Sequence, residues 1–233
     1  MPKSVDIGII GAMEGEVAGI IARLTNATSE KYGMVEIHTG ELLGKRVAVT
    51  RCGVGKVFAS IAAQTMILYY SPRLLVNTGV GGALDKRLNT CDVVFADKLV
   101  QHDMDTSPLG DPRGLISGIN KVYFESDERA LAILTEATER ENINYLVGTV
   151  ATGDKFVASG EDKESIRSHF DAVACEMEGG AIAQTAFVNS TPFIVIRAIS
   201  DSADGEATMD YPTFLPLAVK TSQKLTLSLV EKY

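Results

Sequence analysis

The chain predicts an α/β fold in three layers, with helices on both faces of a central, mixed and twisted sheet. Three observations carry that expectation. VDIGIIG, RLLVNTG and FIVIRAIS are nearly continuous apolar runs of strand length, as strands buried on both faces require. Between them stand longer segments with helical spacing, so strand and helix alternate through most of the chain. The 233 residues, 45% hydrophobic, carry no Pro/Ser-rich linker, repeat or low-complexity tract, so residues 1–233 are expected to form one domain.

Taken in order, VDIGIIG turns at Gly11 into a helix that starts near Met13. Glu14 and Glu16 lie in its first turn, where an acid complements the helix dipole. Gly8 and Gly11 do not make the GxGxxG of a dinucleotide site. From Met34, apolar and polar residues alternate around Gly40 and Gly44, which predicts a hairpin of two strands. Gly53-Val54-Gly55-Lys56 then opens a helix over VFASIAAQTMILYY. A glycine loop there suits an anion, but the GxxxxGK[ST] spacing is missing and Val57 stands where a P-loop needs a hydroxyl. A nucleoside-triphosphate site is excluded.

Pro72 breaks the chain, and RLLVNTG enters a glycine turn, Gly79-Val80-Gly81-Gly82. Glycines here serve either a close approach or a tight turn. CDVVFADKLVQHDMD holds one or two strands and ends in His102-Asp103-Met104-Asp105. Alternation points His102 and Asp103 to opposite faces, which argues against a metal site. TSPLGDPRGLISGIN is a Pro/Gly loop of the kind that borders binding sites. ERALAILTEATERE reads as an amphipathic helix, and INYLVGTVATGDKFV as a strand followed by a loop. Phe156 in that loop reads, by itself, as core.

Residues 173–205 place three of their carboxylates, Glu176, Glu178 and Asp201, beside core-like segments. Ala172, Val173 and Ala174 form a short apolar strand, and EMEGGAIAQTAF a helix with an acidic first turn. FIVIRAIS follows Pro192, with Arg197 inside the run. Asp201 arrives where that strand ends, the place where ligands of α/β sheets gather. The arrangement suits proton chemistry. It equally suits a plain reading, in which Glu176 and Glu178 answer a helix dipole and Asp201 caps the next helix. DYPTFLPLAVKTSQKLTLSLVEK closes the chain as a helix with Pro212 in its first turn.

The formal net charge of -8 argues against nucleic acid or an anionic membrane as partner. The apolar run of MPKSVDIGIIGAM is too short for a signal sequence and is interrupted by Asp6. No stretch approaches a membrane span. Cys52, Cys91 and Cys175 are scattered singly, without a disulfide framework or zinc motif, so a reduced cytoplasm is expected.

IGIIGAMEGEV, CGVGK, NTG-x-GG, GDKFV, EMEGGAIA and RAISD-x-AD occur in unbroken order along essentially the whole chain. Together they resemble the bacterial 5'-methylthioadenosine/S-adenosylhomocysteine nucleosidases of the purine nucleoside phosphorylase-like superfamily. The resemblance implies hydrolysis of the adenine–ribose bond with no metal or cofactor, usually by a homodimer. It implies that Glu16 activates water and that Asp201, with Ser200 beside it, serves adenine N7 as the acid. Glu178 is implied as the ribose hydroxyl acceptor, with Met177 against the sugar and Arg197 nearby. Phe156 is implied to stack on adenine and the Val157 backbone to read its edge, with Gly82 also touching substrate. Met13 and Val54 fall on the sugar side. Leu109, from the neighbouring subunit, and Tyr211 fall on the apolar 5' end. Two residues depart from the family: Val80 replaces a common Ser, and Gly15 replaces a common acid.

The chemistry matches these residue types. Breaking an N-glycosidic bond leaves the sugar cationic and the base anionic, so an acid at the base and a water-orienting carboxylate are needed. One must stay ionised while the other carries a proton, so their environments must differ. Burial at the end of an apolar strand is one route to that difference at Asp201. Substrates of the expected reaction are methylthioadenosine, adenosylhomocysteine and 5'-deoxyadenosine, in methionine salvage. A phosphorylase of the same fold is disfavoured by Asn77 in place of Arg and by Val80. An aminofutalosine-type substrate stays open. A calcium-dependent nucleoside hydrolase lacks its DxDxxxDD cluster here, and a non-catalytic nucleoside-binding protein has no need of Glu16 and Asp201.

Overall fold

The computed structural model describes residues 3–201 and 207–233, the side chains of residues 207–212 excepted. VDIGIIG forms strand β1 (Ile7–Gly11), every residue of it buried, and helix α1 (Glu14–Ile21) follows with Met13 at its N-cap. The expected hairpin is β3 (Val35–Leu42) and β4 (Lys45–Arg51), turning at Leu43 and Gly44 rather than Gly40, both with positive φ. A strand not expected from the sequence, β2 (Thr25–Tyr32), pairs with β3 at the sheet edge. Its residues are polar and mostly exposed, so no apolar alternation marks it. Helix α2 (Lys56–Tyr70) starts at the glycine loop as expected.

The stretch read as a glycine turn is instead strand. β5 (Leu74–Ala83) runs straight through Gly79, Gly81 and Gly82 because β10 pairs along it as far as Gly82. β6 (Val93–Gln101) ends before His102, and a 3-10 turn at Ser107–Leu109 lies in the Pro/Gly loop. Next come β7 (Phe124–Glu125), α3 (Glu128–Arg140) and β8 (Tyr145–Thr152). Helix α4 (Gly160–Phe170) was not anticipated. Its Ser159 accepts the Asp162 N–H, an N-cap that stands in the sequence as Ser-x-x-Asp.

β9 (Ala172–Glu176) is longer than its apolar lead-in, because pairing with β8 carries it to Glu176. Glu176 and Glu178 therefore precede helix α5 (Gly179–Val188) instead of filling its first turn. β10 (Phe193–Asp201) is buried at all nine positions, as FIVIRAIS requires. Helix α6 (Ala207–Lys232) closes the chain and starts earlier than expected. Tyr211 falls in its first turns, with a side chain outside the described residues.

The strands form one mixed sheet in the order β10-β6-β8-β9-β5-β1-β4-β3-β2, with β7 on β6. β10 also pairs with β5, so β5, β9, β8, β6 and β10 close into a ring. One core lies under α2 and α5, around Met66, Tyr70, Ile182 and Val195. A second lies under α1, α3 and α6, around Ile9, Val17, Leu134 and Leu225. These are the two outer layers of the three. The C-terminal ends of β1, β5, β8, β9 and β10 converge where the ring meets the open sheet, and register sets Asp201 beside Gly82 and Gly82 beside Cys175.

Candidate active site

At that convergence lies a cleft of about 570 Å³. Eleven of the fourteen residues implied by the motifs line it: Met13, Glu16, Val54, Val80, Gly82, Phe156, Val157, Met177, Glu178, Ser200 and Asp201.

Glu16 is folded back over the start of its own helix. Its Oε2 accepts the N–H groups of Ala12 at 2.7 Å and Met13 at 2.9 Å, and its Oε1 accepts the Val80 N–H at 3.2 Å. Burial pushes its carboxyl above the usual range, against the opposing pull of these amides and Arg197. β5 makes this possible by having no side chain at Gly79, where a Cβ would fall 2.5 Å from Glu16 Oε1. Glu14, two residues earlier, is exposed and pairs with Arg51, the plain surface role. So of the two acids in GAMEGEV, one is at the site.

Glu178 occupies the N-cap position of α5, but its carboxylate turns away to accept the Gly55 N–H at 2.8 Å. Burial, and then the charge of Glu176, pushes it up to about 7. Glu176 does the capping: its Oε2 accepts the N–H of Glu178 at 3.0 Å and of Gly179 at 2.6 Å. Arg197 and the Thr152 hydroxyl also bind it. Burial works against its ionisation, yet these partners hold it below the usual carboxylate range. Glu176 thus takes the capping part of the plain reading at α5, while Glu178 reaches instead to Gly55 at the start of α2.

Arg197 does not line the cleft. It lies fully buried behind Glu176 and donates to Asn77 Oδ1 and to the Ile196 carbonyl. Asn77, whose amide also holds the Ile10 carbonyl, is therefore part of that buried clamp. Asp201, at the end of β10, accepts the Ser200 hydroxyl on Oδ1 at 3.1 Å and faces Lys163 Nζ on Oδ2 at 3.1 Å. The ion pair adds a partner that the apolar run FIVIRAIS did not announce.

Phe156 is 47% exposed at the cleft, so the core reading of that residue is corrected: the loop between β8 and α4 holds it out at the site. Val157 beside it is buried. Leu109 is 84% exposed on its 3-10 turn and does not line this chain's cleft. Lining residues to which the resemblance assigned no role include Lys155, Cys175 and Glu176. Glu176 was one of the three carboxylates already singled out, but its capping role needed the strand end to be placed. Among the described residues no group of three His, Cys, Asp or Glu is placed to hold a metal ion, and no helix is long and apolar enough to cross a membrane.

Buried Glu16, Glu178 and Asp201 and the exposed ring of Phe156 line one cleft, an arrangement that suits a flat base joined to a hydroxylated sugar. The sequence matches the Phosphorylase superfamily over residues 6–231. It is 37% identical over 227 residues to a 5'-methylthioadenosine/S-adenosylhomocysteine nucleosidase of Staphylococcus aureus, covering 97% of this chain and 99% of the relative. The chain belongs to this nucleosidase family of the phosphorylase superfamily.

Solved nucleosidases share the fold. The enzyme of Neisseria meningitidis, in complex with methylthio-immucillin-A, superposes with a TM-score of 0.94 at 34% identity, over 98% of this chain and 99% of that one. A futalosine hydrolase of Helicobacter pylori superposes with a TM-score of 0.93, also at 34% identity, over 98% of both chains. The nucleosidase fold is thus common to enzymes named for different substrates.

Proposed function

We propose that this chain, acting as one domain, hydrolyses the N-glycosidic bond of 5'-methylthioadenosine and S-adenosylhomocysteine, releasing adenine and the 5'-thio sugar. The observation that carries it is the meeting of buried Glu16, Glu178 and Asp201 with Phe156 in one cleft. Phe156 stacks on the base, Val157 reads its edge, and Glu178 accepts the ribose hydroxyls with Met13, Val54 and Met177 packed on the sugar. Glu16 orients water at C1′, and Asp201 gives a proton to N7 as the base departs. Gly82 leaves room for Asp201, since a Cβ there would fall 2.9 Å from Oδ2. Arg197 acts at one remove, through Glu176.

Hydrolysis is favoured over phosphorolysis because Asn77 is engaged with Arg197 and Val80 offers the cleft no hydroxyl. 5'-Deoxyadenosine is proposed as a further substrate, and methionine salvage in the cytoplasm as the setting. The acting form is proposed to be a homodimer. Val57, Ile61 and Leu68 of α2 and Val188 of α5 are at least half exposed and line a broad apolar groove. That groove begins at Lys56, next to Gly55, whose N–H holds Glu178. A second copy seated there is proposed to bring its Leu109 loop to the 5' end of the cleft.

The test is free adenine and free reducing sugar from methylthioadenosine, measured with and without phosphate. Turnover that needs phosphate, or yields a ribose 1-phosphate, overturns hydrolysis. No adenine from any 5'-substituted adenosine of a panel, aminofutalosine included, overturns the enzyme reading.

A further inference from the structure

A lysine ammonium gives up its hydration on burial, so it stays in a protein interior only where acceptors or an opposite charge meet it. Lys163 is such a case. Its side chain is 2% exposed and its Nζ lies 3.1 Å from Asp201 Oδ2, on a side chain that is 4% exposed. On the other side, the Ser200 hydroxyl donates to Asp201 Oδ1 at 3.1 Å. With one oxygen held from α4 and the other from β10, the carboxyl cannot rotate without losing a partner. α4 also follows directly on the loop that carries Phe156 and Val157. The segment that meets the base thus supplies the cation that meets the acid.

We propose that Lys163 is a positioning residue for the leaving-group step: its buried ammonium orients the Asp201 carboxyl and balances the charge left there when the proton departs. This rests on the nucleosidase reading. In that step the proton that Asp201 has taken up with substrate bound leaves its carboxyl, so the Asp201 O–H bond breaks, an N–H bond forms at adenine N7, and the C1′–N9 electron pair leaves with the base. Lys163 keeps its own protons. The new carboxylate forms beside a fixed positive charge that has no need to reorganise. Among the described residues, the other elements around Asp201 offer no such group. β5 presents Gly82, and β9 presents Cys175, whose thiol is pushed up to about 12 by burial and then by the charge of Asp201. Glu176 on β9 and Arg197 on β10 are bound to each other.

The experiment compares two leaving groups. Methylthioadenosine needs a proton on its base, whereas 4-nitrophenyl 5-methylthioriboside releases a nitrophenolate that needs none. Lys163→Met is expected to lower kcat on methylthioadenosine by about 100-fold, the scale of losing one preorganised charge contact. KM should stay near the parent value and the nitrophenyl substrate should lose little. Lys163→Arg should recover most of the turnover. In an Asp201→Asn background, Lys163→Met should cost little more, because the two act as one unit. Equal losses on both leaving groups, or fully additive losses with Asp201→Asn, overturn the proposal and leave Lys163 a structural residue. Should Lys163→Met not fold, Lys163→Gln is read on the same two substrates by the same criteria. If the parent chain itself releases no adenine, it is the nucleosidase reading that fails.

Discussion

The two ends of the cleft are built by different means. At the end proposed for water, Glu16 is held by three backbone N–H groups, two of them within four residues of it along the chain. At the end proposed for the base, Asp201 is held by side chains, one of them from a helix 38 residues earlier. Backbone donors are fixed once the fold is fixed, whereas a lysine must be steered by packing around its whole length. The water end therefore tolerates changes in neighbouring side chains but not in the backbone. The base end depends on its side chains.

The largest effects should come from the two carboxylates. Asp201→Asn keeps shape but has no carboxylic proton, and Glu16→Gln keeps shape but cannot accept one. Each is expected to lower turnover by about 100- to 10,000-fold, or roughly 3 to 5 kcal/mol of barrier. Melting temperatures should stay near that of the parent, and adenosine analogues should still bind. Turnover and melting measured on the same preparation check this. A helix-cap role for Asp201 would instead show as about 1 kcal/mol of lost stability with activity kept.

The glycines of β5 sharpen the comparison. A Cβ at Gly79 would fall 2.5 Å from Glu16 Oε1, and one at Gly82 would fall 2.9 Å from Asp201 Oδ2. Gly79→Ala must push a carboxylate off three fixed amides, so a loss of about 100-fold or more in kcat is expected. Gly82→Ala meets a carboxylate held by side chains that can give, so its loss should be smaller. Steady-state kinetics of both variants decide the order; a reversed order breaks the contrast.

Glu178 supplies a pH dependence. Its folded carboxyl stands at about 7 against 4.5 in the unfolded chain. Between those values the folded chain holds the extra proton, so stability from this group is complete below the lower value and is lost as pH rises through the upper one. Glu16, raised in the same direction, adds to the trend. Relative to Glu178→Gln, the ligand-free parent should lose melting temperature between about pH 5 and pH 8. Substrate hydroxyls donate to the ionised form, so KM should fall over the same interval. A flat difference between parent and variant removes Glu178 as the group concerned.

The smallest effect is expected at Leu109, which touches neither end within its own chain. Leu109→Asp should weaken binding of thioether substrates several-fold, about 1 kcal/mol, while leaving adenine binding unchanged. A fully active monomer at assay concentration would count against a shared 5' pocket.

The sequence by itself determined the layers and most of their elements. Apolar runs such as FIVIRAIS have a place only in a doubly covered strand, and GAMEGEV puts an acid at a helix start where local amides meet it. Those are short-range facts, written in adjacent residues. The sequence did not announce β2, whose exposed polar residues have no periodic signature, or α4, although Ser159-x-x-Asp162 marked its start. Lys163, Ile166 and Phe170 are the buried positions of that helix, one face at helical spacing. A lysine on such a face reads as surface until a partner is known. What only the tertiary structure decided is long-range. β5 continues through its glycines because β10 pairs along it, Glu176 caps α5 because β8 draws it into β9, and Lys163 meets Asp201 because the ring of strands closes. Each depends on residues far apart in the chain that pairing and burial bring together, and no local pattern records it.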